Sequence, residues 1–214
     1  LQLSWNEKKL NLNGNGLSYR KLLPDLLKYT DLRDYTQERM QDSRIQSLAP
    51  KAVGAVNIEG LCIYGEGVLI GFRNPVTEYG ALLIPLINPY ELIFEGVKPS
   101  FGKSIRLDLV GLGIRSMDYH PGLKQYLIVA GPVGSEESPF KIFTWTGDIE
   151  DKAQFLCDLK DMKPESMVVY GSNLNVQILA DSGSKLIGGL QCKDLAVDDE
   201  RKHFDSIRLN LALK

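Results

Sequence analysis

Three stretches of this chain can be laid over one another, and that repeat restricts the fold more than any other feature. They are IEGLCIYGEGVLIGFRNP (58–75), IRSMDYHPGLKQYLIVAGP (114–132) and PESMVVYGSNLNVQILADSG (164–183). Each opens on a polar or charged residue. Each then runs through an apolar segment to a tyrosine: Tyr64, Tyr119 and Tyr170. A turn containing glycine follows (Gly65, Gly122, Gly171), then a second apolar run: VLIGF, YLIVA or VQILA. Short apolar runs broken by Gly, Pro, Asn and Ser are the texture of strands and turns. Further strands fit after each hairpin: ALLIPLI (81–87), FKIFTWT (140–146) and the weaker KLIGGLQ (185–191). Outer strands fit at SIRLDLV (104–110), AQFLCDL (153–159) and DSIRLNLAL (205–213). Four strands in a unit of about 50 residues match a β-propeller blade.

The expected fold is therefore all-β, built of propeller-like four-stranded blades at about 56–110, 111–160 and 161–214, within a domain spanning 51–214. The competing architecture is a β-sandwich with similar hairpins. Residues 1–50 read as an N-terminal strand, a turn at NGNG and a helical insert. LSYRKLLPDLLKYTDLRDYTQERMQDSRIQSL (17–48) has few β-branched residues and many Leu, Arg, Gln and Lys, so it favours helix. Pro24 is expected to start or kink a segment. Asp31 is a candidate cap for a second one. Three blades are fewer than the four to eight that close a ring. Blades upstream are therefore expected to be missing, unless the N-terminal strand and helices replace part of a fourth; the chain also starts without Met and reads as processed or truncated. A cap or self-association would then cover the open sheet.

The repeat also sorts charge. In a blade, the start of the first strand and the end of the second share one face. Glu59 and Arg73 hold those places in the first unit, Arg115 and Gly131 in the second, Glu165 and Asp181 in the third. One channel mouth should then collect Glu59, Arg73, Arg115, Glu165 and Asp181, with Asn57 and Asn74 beside them. One reading is an internal ion-pair network, because buried charges need partners. Another is a rim that binds a small ligand or a protein. A third makes Glu59, Glu165 and Asp181 the oxygen ligands of calcium. Arg73 and Arg115 would then hold an anion, as in a metal-assisted phosphate- or carboxyl-ester hydrolase. A purely structural module is the remaining alternative.

Composition excludes some classes. There are 25 basic and 27 acidic residues, so nothing marks a nucleic-acid or membrane-surface partner. No apolar window approaches a membrane span. Cys62, Cys157 and Cys192 are odd in number and widely spaced; free thiols in a reducing, cytoplasmic setting are expected, with Cys62 a small buried hydrophobe. His120 and His203 stand apart, which disfavours a zinc site. His120, before Pro121-Gly122, reads as an exposed turn residue. No nucleophile elbow and no phosphate-binding P-loop occurs, and Gly111-Leu112-Gly113 is followed by Ser116 where a dinucleotide fingerprint needs Gly.

NIEGL (57–61), IGFRNP (70–75), GLGIRS (111–116) and YLIVAGP (126–132) resemble the signature of an uncharacterised, largely bacterial family, the domain of unknown function thirty-six sixteen. The resemblance covers roughly 50–210. It implies a propeller-like fold and members longer at the N-terminus, and it supplies no activity. PES (164–166) and ILADSG (178–183) resemble that family's last block, with Ser182 where a second acid is commoner. A more distant likeness, through the E-G-L and E-S strand starts, is to propellers described as esterase-like phytases. Fold alone does not carry function across.

Overall fold

The computed structural model describes residues 2–6, 9–13, 18–32, 35, 49–50, 52, 55–134, 138–160 and 162–211. Two strands, β1 (Gln2–Asn6) and β2 (Lys9–Asn13), pair antiparallel at the N-terminus, where the sequence pattern suggests one. Helix α1 spans Leu22–Tyr29, with Pro24 in its first turn, where a missing N–H costs no helical bond. The Asp31 carboxylate takes bonds from Ser104 Oγ and, at 2.7 Å, from Arg106 Nη2; most of the residues it was expected to cap lie outside the described ones. Most of the NGNG turn and the helix expected over 36–48 lie outside the described residues.

From residue 57 the chain is a succession of antiparallel meanders. The first sheet has the order β3 (Asn57–Tyr64), β4 (Gly67–Thr77), β5 (Gly80–Leu86), β6 (Ile105–Leu107), with a short helix α2 (Pro89–Phe94) before its last strand. The second sheet is β7 (Gly113–His120), β8 (Gln125–Gly131), β9 (Phe140–Trp145), β10 (Gln154–Leu159). Both match the expected blades strand for strand.

The third sheet is shorter. It consists of β11 (Pro164–Val169), β12 (Asn175–Ala180) and β15 (Asp205–Asn210). KLIGGLQ does not join it. It folds as a separate hairpin, β13 (Leu186–Ile187) with β14 (Leu190–Gln191). The reason is local: Gly188 and Gly189 both take positive φ, 59° and 88°, which closes a two-residue hairpin turn in the middle of the run. The strand expected at the outer edge therefore pairs directly with β12.

The sheets face one another around their first strands: β7 packs against β3 and β4 on one side and against β11 on the other. Alternation along the strands supplies two inter-sheet cores. Leu69, Leu83, Ile105, Leu107, Ile114, Met117, Ile128 and Trp145 fill the space between the first and second sheets. Leu127, Val129, Ile142, Met167, Val176 and Ile178 fill that between the second and third. The far face of the first sheet, with Ile70, Phe72, Leu82 and Ile84, is covered by Leu26 of α1 and by Leu32. The N-terminal helix thus supplies the cap the sequence calls for, although Leu61 and Ile63 on β3 stay 65% and 70% exposed. The far face of the third sheet is polar: Tyr170 donates to Gln177 Oε1, and Gln177 Nε2 donates to Ser206 Oγ. This is a propeller-like array of blades.

Candidate functional site

The charged strand starts share one structural device. Opposite β4, Ile58 pairs with Phe72 and Gly60 with Gly71, which leaves Glu59 as the extra residue on β3; Asn57 pairs with Asn74, which leaves Arg73 as the extra residue on β4. Opposite β8, Ile114 pairs with Ala130 and Ser116 with Val129, which leaves Arg115 as the extra residue. Opposite β12, Pro164 pairs with Ala180 and Ser166 with Leu179, which leaves Glu165. A bulge frees one residue from the ladder and re-aims its side chain. Repeated three times around neighbouring first strands, it turns Glu59, Arg115 and Glu165 toward one another.

The geometry closes into a chain of opposite charges. Arg73 Nη1 donates to Glu59 Oε1 at 3.2 Å. Arg115 Nε lies 2.9 Å from Glu59 Oε2, and Arg115 Nη2 donates to Glu165 Oε1 at 3.1 Å. The Arg115 Nε–H is not aimed at its carboxylate, so that contact is an ion pair and not a well-formed hydrogen bond. The guanidinium also lies over the Phe140 ring, 5.6 Å from its centroid. Gly131 makes room for this: a Cβ there would meet Phe140 at 2.4 Å and Arg115 Cγ at 3.0 Å. Glycine stands in the second unit where Arg73 stands in the first because the space already belongs to Arg115.

Both arginines are buried, with side chains 5% and 6% exposed; Glu59 is 19% exposed and Glu165 50%. Burial pulls the Arg115 guanidinium below its ordinary value; Glu59 opposes that, Arg73 reinforces it, and Glu165 opposes it. The other two nitrogens of Arg73 bond to backbone. Its Nε donates to the carbonyls of Pro132 (3.1 Å) and Val133 (3.0 Å), and Nη2 to that of Gly134 (2.7 Å). Asn74, also buried, donates to Ala52 O and Val133 O, and Asn57 donates to Glu59 Oε1 at 3.0 Å. The loop after β8 is therefore held to the first sheet by side chains of β4. Nothing in the sequence of that loop signals this, because the acceptors are carbonyls.

Asp181 does not join. Its Oδ1 accepts from Gly183 N at 2.7 Å and closes a turn after β12. The corner is instead tied by Ser182, which the sequence marks only as standing where a second acid is commoner. Ser182 Oγ donates to Asp205 Oδ2 and accepts from Asp205 N, both at 2.9 Å, and Lys185 Nζ lies 3.3 Å from the same carboxylate. The Ser182 hydroxyl, and after it Lys185, hold the Asp205 carboxyl below its ordinary range. The expected calcium triad of Glu59, Glu165 and Asp181 accordingly does not assemble. Among the described residues no group of three or more His, Cys, Asp or Glu side chains is placed to hold a metal ion. Glu59 is committed to two arginines, and Asp181 serves its own turn.

His120 is fully buried, not exposed. Its Nε2 lies 2.9 Å from Asn173 O, and Nδ1 accepts from Leu123 N at 3.2 Å. A ring that donates at one nitrogen and accepts at the other is the neutral tautomer. It bridges the hairpin turns of the second and third sheets.

The fold and this mouth define a propeller-like protein in which bulged first strands gather ionised side chains from adjacent blades. The family model "Protein of unknown function (DUF3616)" matches residues 25–176. The chain belongs to that family. No curated protein and no solved structure matches it.

Proposed function

We propose that the chain is a non-catalytic binding scaffold, in which the charged mouth is an inter-blade clamp and the rigid array presents its surfaces to a ligand or partner. One observation carries this reading: Arg73, Glu59, Arg115 and Glu165 come from three sheets and are paired in series. Their formal charges sum to zero, and each of the three Arg73 nitrogens donates to Glu59 or to a loop carbonyl. A charge held by fixed partners is poorly placed to act as acid, base or ligand during turnover. The group the mouth still offers is the half-exposed Glu165 carboxylate, which suits a cationic feature on an incoming partner. The alternative, a calcium-dependent ester hydrolase, draws no support from this donor set.

Two measurements test the clamp. Glu59→Ala strands two buried guanidiniums facing each other, so denaturant unfolding should show a loss of about 3–5 kcal/mol. Glu165→Ala, at a half-exposed site, should cost about 1 kcal/mol or less. The unsubstituted protein should release no nitrophenolate from p-nitrophenyl phosphate or p-nitrophenyl acetate, with or without millimolar calcium. Calcium-dependent release that Glu59→Ala abolishes would overturn the proposal, as would a calcium-induced rise of several degrees in Tm, since a cation bound only by the native state stabilises it.

A further inference from the structure

The opposite end of the same first strands carries a second constellation. Tyr64 and Tyr119 lie five and four residues beyond Glu59 and Arg115, or about 13–17 Å along a strand. With Ile63, Gly65, Tyr126, Thr146 and Gly147 they line an open cleft of about 440 Å³ between the first two sheets. That is within the volume range of small-molecule sites.

The walls are fixed from behind. Tyr64 OH donates to Gly147 O, and Tyr126 OH donates to Ile63 O, each at 3.2 Å and each from one sheet to the other. Tyr126 also packs on Trp145, with ring centroids 5.3 Å apart. Tyr119 is different. Its ring rests on Tyr126 at 5.1 Å, it is 37% exposed, and among the described residues no hydrogen bond engages its hydroxyl. The cleft thus has the anchored Tyr64 ring as one wall, the buried Tyr126 ring behind it, and the solvent-open Tyr119 ring with its hydroxyl at the edge; the Thr146 hydroxyl is taken by Asp151 Oδ2 and Asp148 N.

The lining selects a class of ligand. No carboxylate, ammonium, guanidinium or imidazole lines the cleft, so nothing there offsets the desolvation of a charged group. The rings are inclined: Tyr64 to Tyr126 by 51° and Tyr119 to Tyr126 by 58°. A planar base or drug-like ring is held best between parallel faces, and neither Tyr64 nor Tyr119 lies parallel to Tyr126. A saturated ring is thicker, and its polarised C–H bonds can meet the negative faces of tilted aromatics while its hydroxyls reach the rim. We propose that this cleft is a binding site for an uncharged sugar ring. The site is independent of the ion-pair mouth.

The test is calorimetric titration of the full chain with glucose, galactose, N-acetylglucosamine, maltose and cellobiose, with Trp145 emission as a second readout. Saturable binding of at least one of them is expected, with Kd of about a millimolar or below. Tyr119→Ala should weaken that binding about tenfold or more and lower Tm only slightly, because the ring supports no hydrogen bond and loses only its contact with Tyr126. Tyr119→Phe should retain most of the affinity. The proposal is overturned by the absence of saturable binding up to about 20 mM sugar, by binding indifferent to Tyr119→Ala, or by tighter binding of a planar uncharged probe such as adenosine.

Discussion

Single residues in this protein owe their roles to where the repeat puts them, and Tyr126 and Cys62 show the consequence for chemistry. Burial pushes the Tyr126 phenol up to about 12, with Cys62, Tyr64 and Tyr119 adding in the same direction. Burial, followed by Asp118, pushes the Cys62 thiol up to about 12. For an acid whose native pKa is raised, the unfolded chain loses its proton first. Above the ordinary values of 9.0 for the thiol and 10.0 for the phenol, the native state holds more protons, so stability falls as pH rises toward 12. Denaturant unfolding at about pH 10.5 should therefore give a lower stability than at about pH 8. Cys62 in the folded protein should resist alkylation throughout that interval. Rapid labelling of Cys62 at about pH 9 under native conditions would contradict this. The position of Cys62 inside an apolar run was enough to expect its burial. The burial of His120 was not legible, because its partner Asn173 O lies on another hairpin and a carbonyl acceptor leaves no mark in sequence.

At the scale of strands, the repeat identified which residues begin β3, β7 and β11, and the pattern of apolar runs located the strands of the first two sheets. What it could not show is the bulge at each start. A bulge adds one residue to one strand, and alternation blurred over one position reads the same with or without it. Without the bulge, a charged residue beside a small one has no defined direction, so the convergence of Glu59, Arg115 and Glu165 was an inference from topology alone. Asp181 sat in an equivalent place by alignment yet turned to Gly183, because an aspartate two residues before an open N–H satisfies it locally. Close approach of β7 to β4 belongs to this scale too. A Cβ on Gly113 would lie 2.2 Å from Arg73 O, which is backbone and cannot swing aside. Gly113→Ala should cost about 1–3 kcal/mol in denaturant unfolding. It should also loosen the loop that Arg73 holds, seen as faster amide exchange near residues 132–134. Unchanged stability would show that the two strands have slack.

Among the described residues, the three blade sheets share the work of covering apolar faces with helix α1 and, through Leu92, with α2. The inter-sheet cores explain why the fold class was readable: repeated short apolar runs broken by turn residues suit strands buried between stacked sheets. Helix α1 was readable as a helix, but its role was not, since amphipathic spacing does not say which sheet a helix will cover. Leu26 is fully buried against Ile70, Phe72, Leu82 and Ile84. Leu26→Ala should cost about 2–5 kcal/mol and increase binding of an apolar dye to the uncovered sheet. A loss below about 1 kcal/mol would mean that the helix is not needed to close that face.

Glu59 has one further implication. Because a single carboxylate serves guanidiniums from two different sheets, neither arginine can swing outward without leaving the other with a bare charge in a dry setting. Partial opening at that end is therefore costlier than either small departure would be alone. The blades should part there together or not at all, so that solvent, heat or a bound partner meets a latch that responds as a single step.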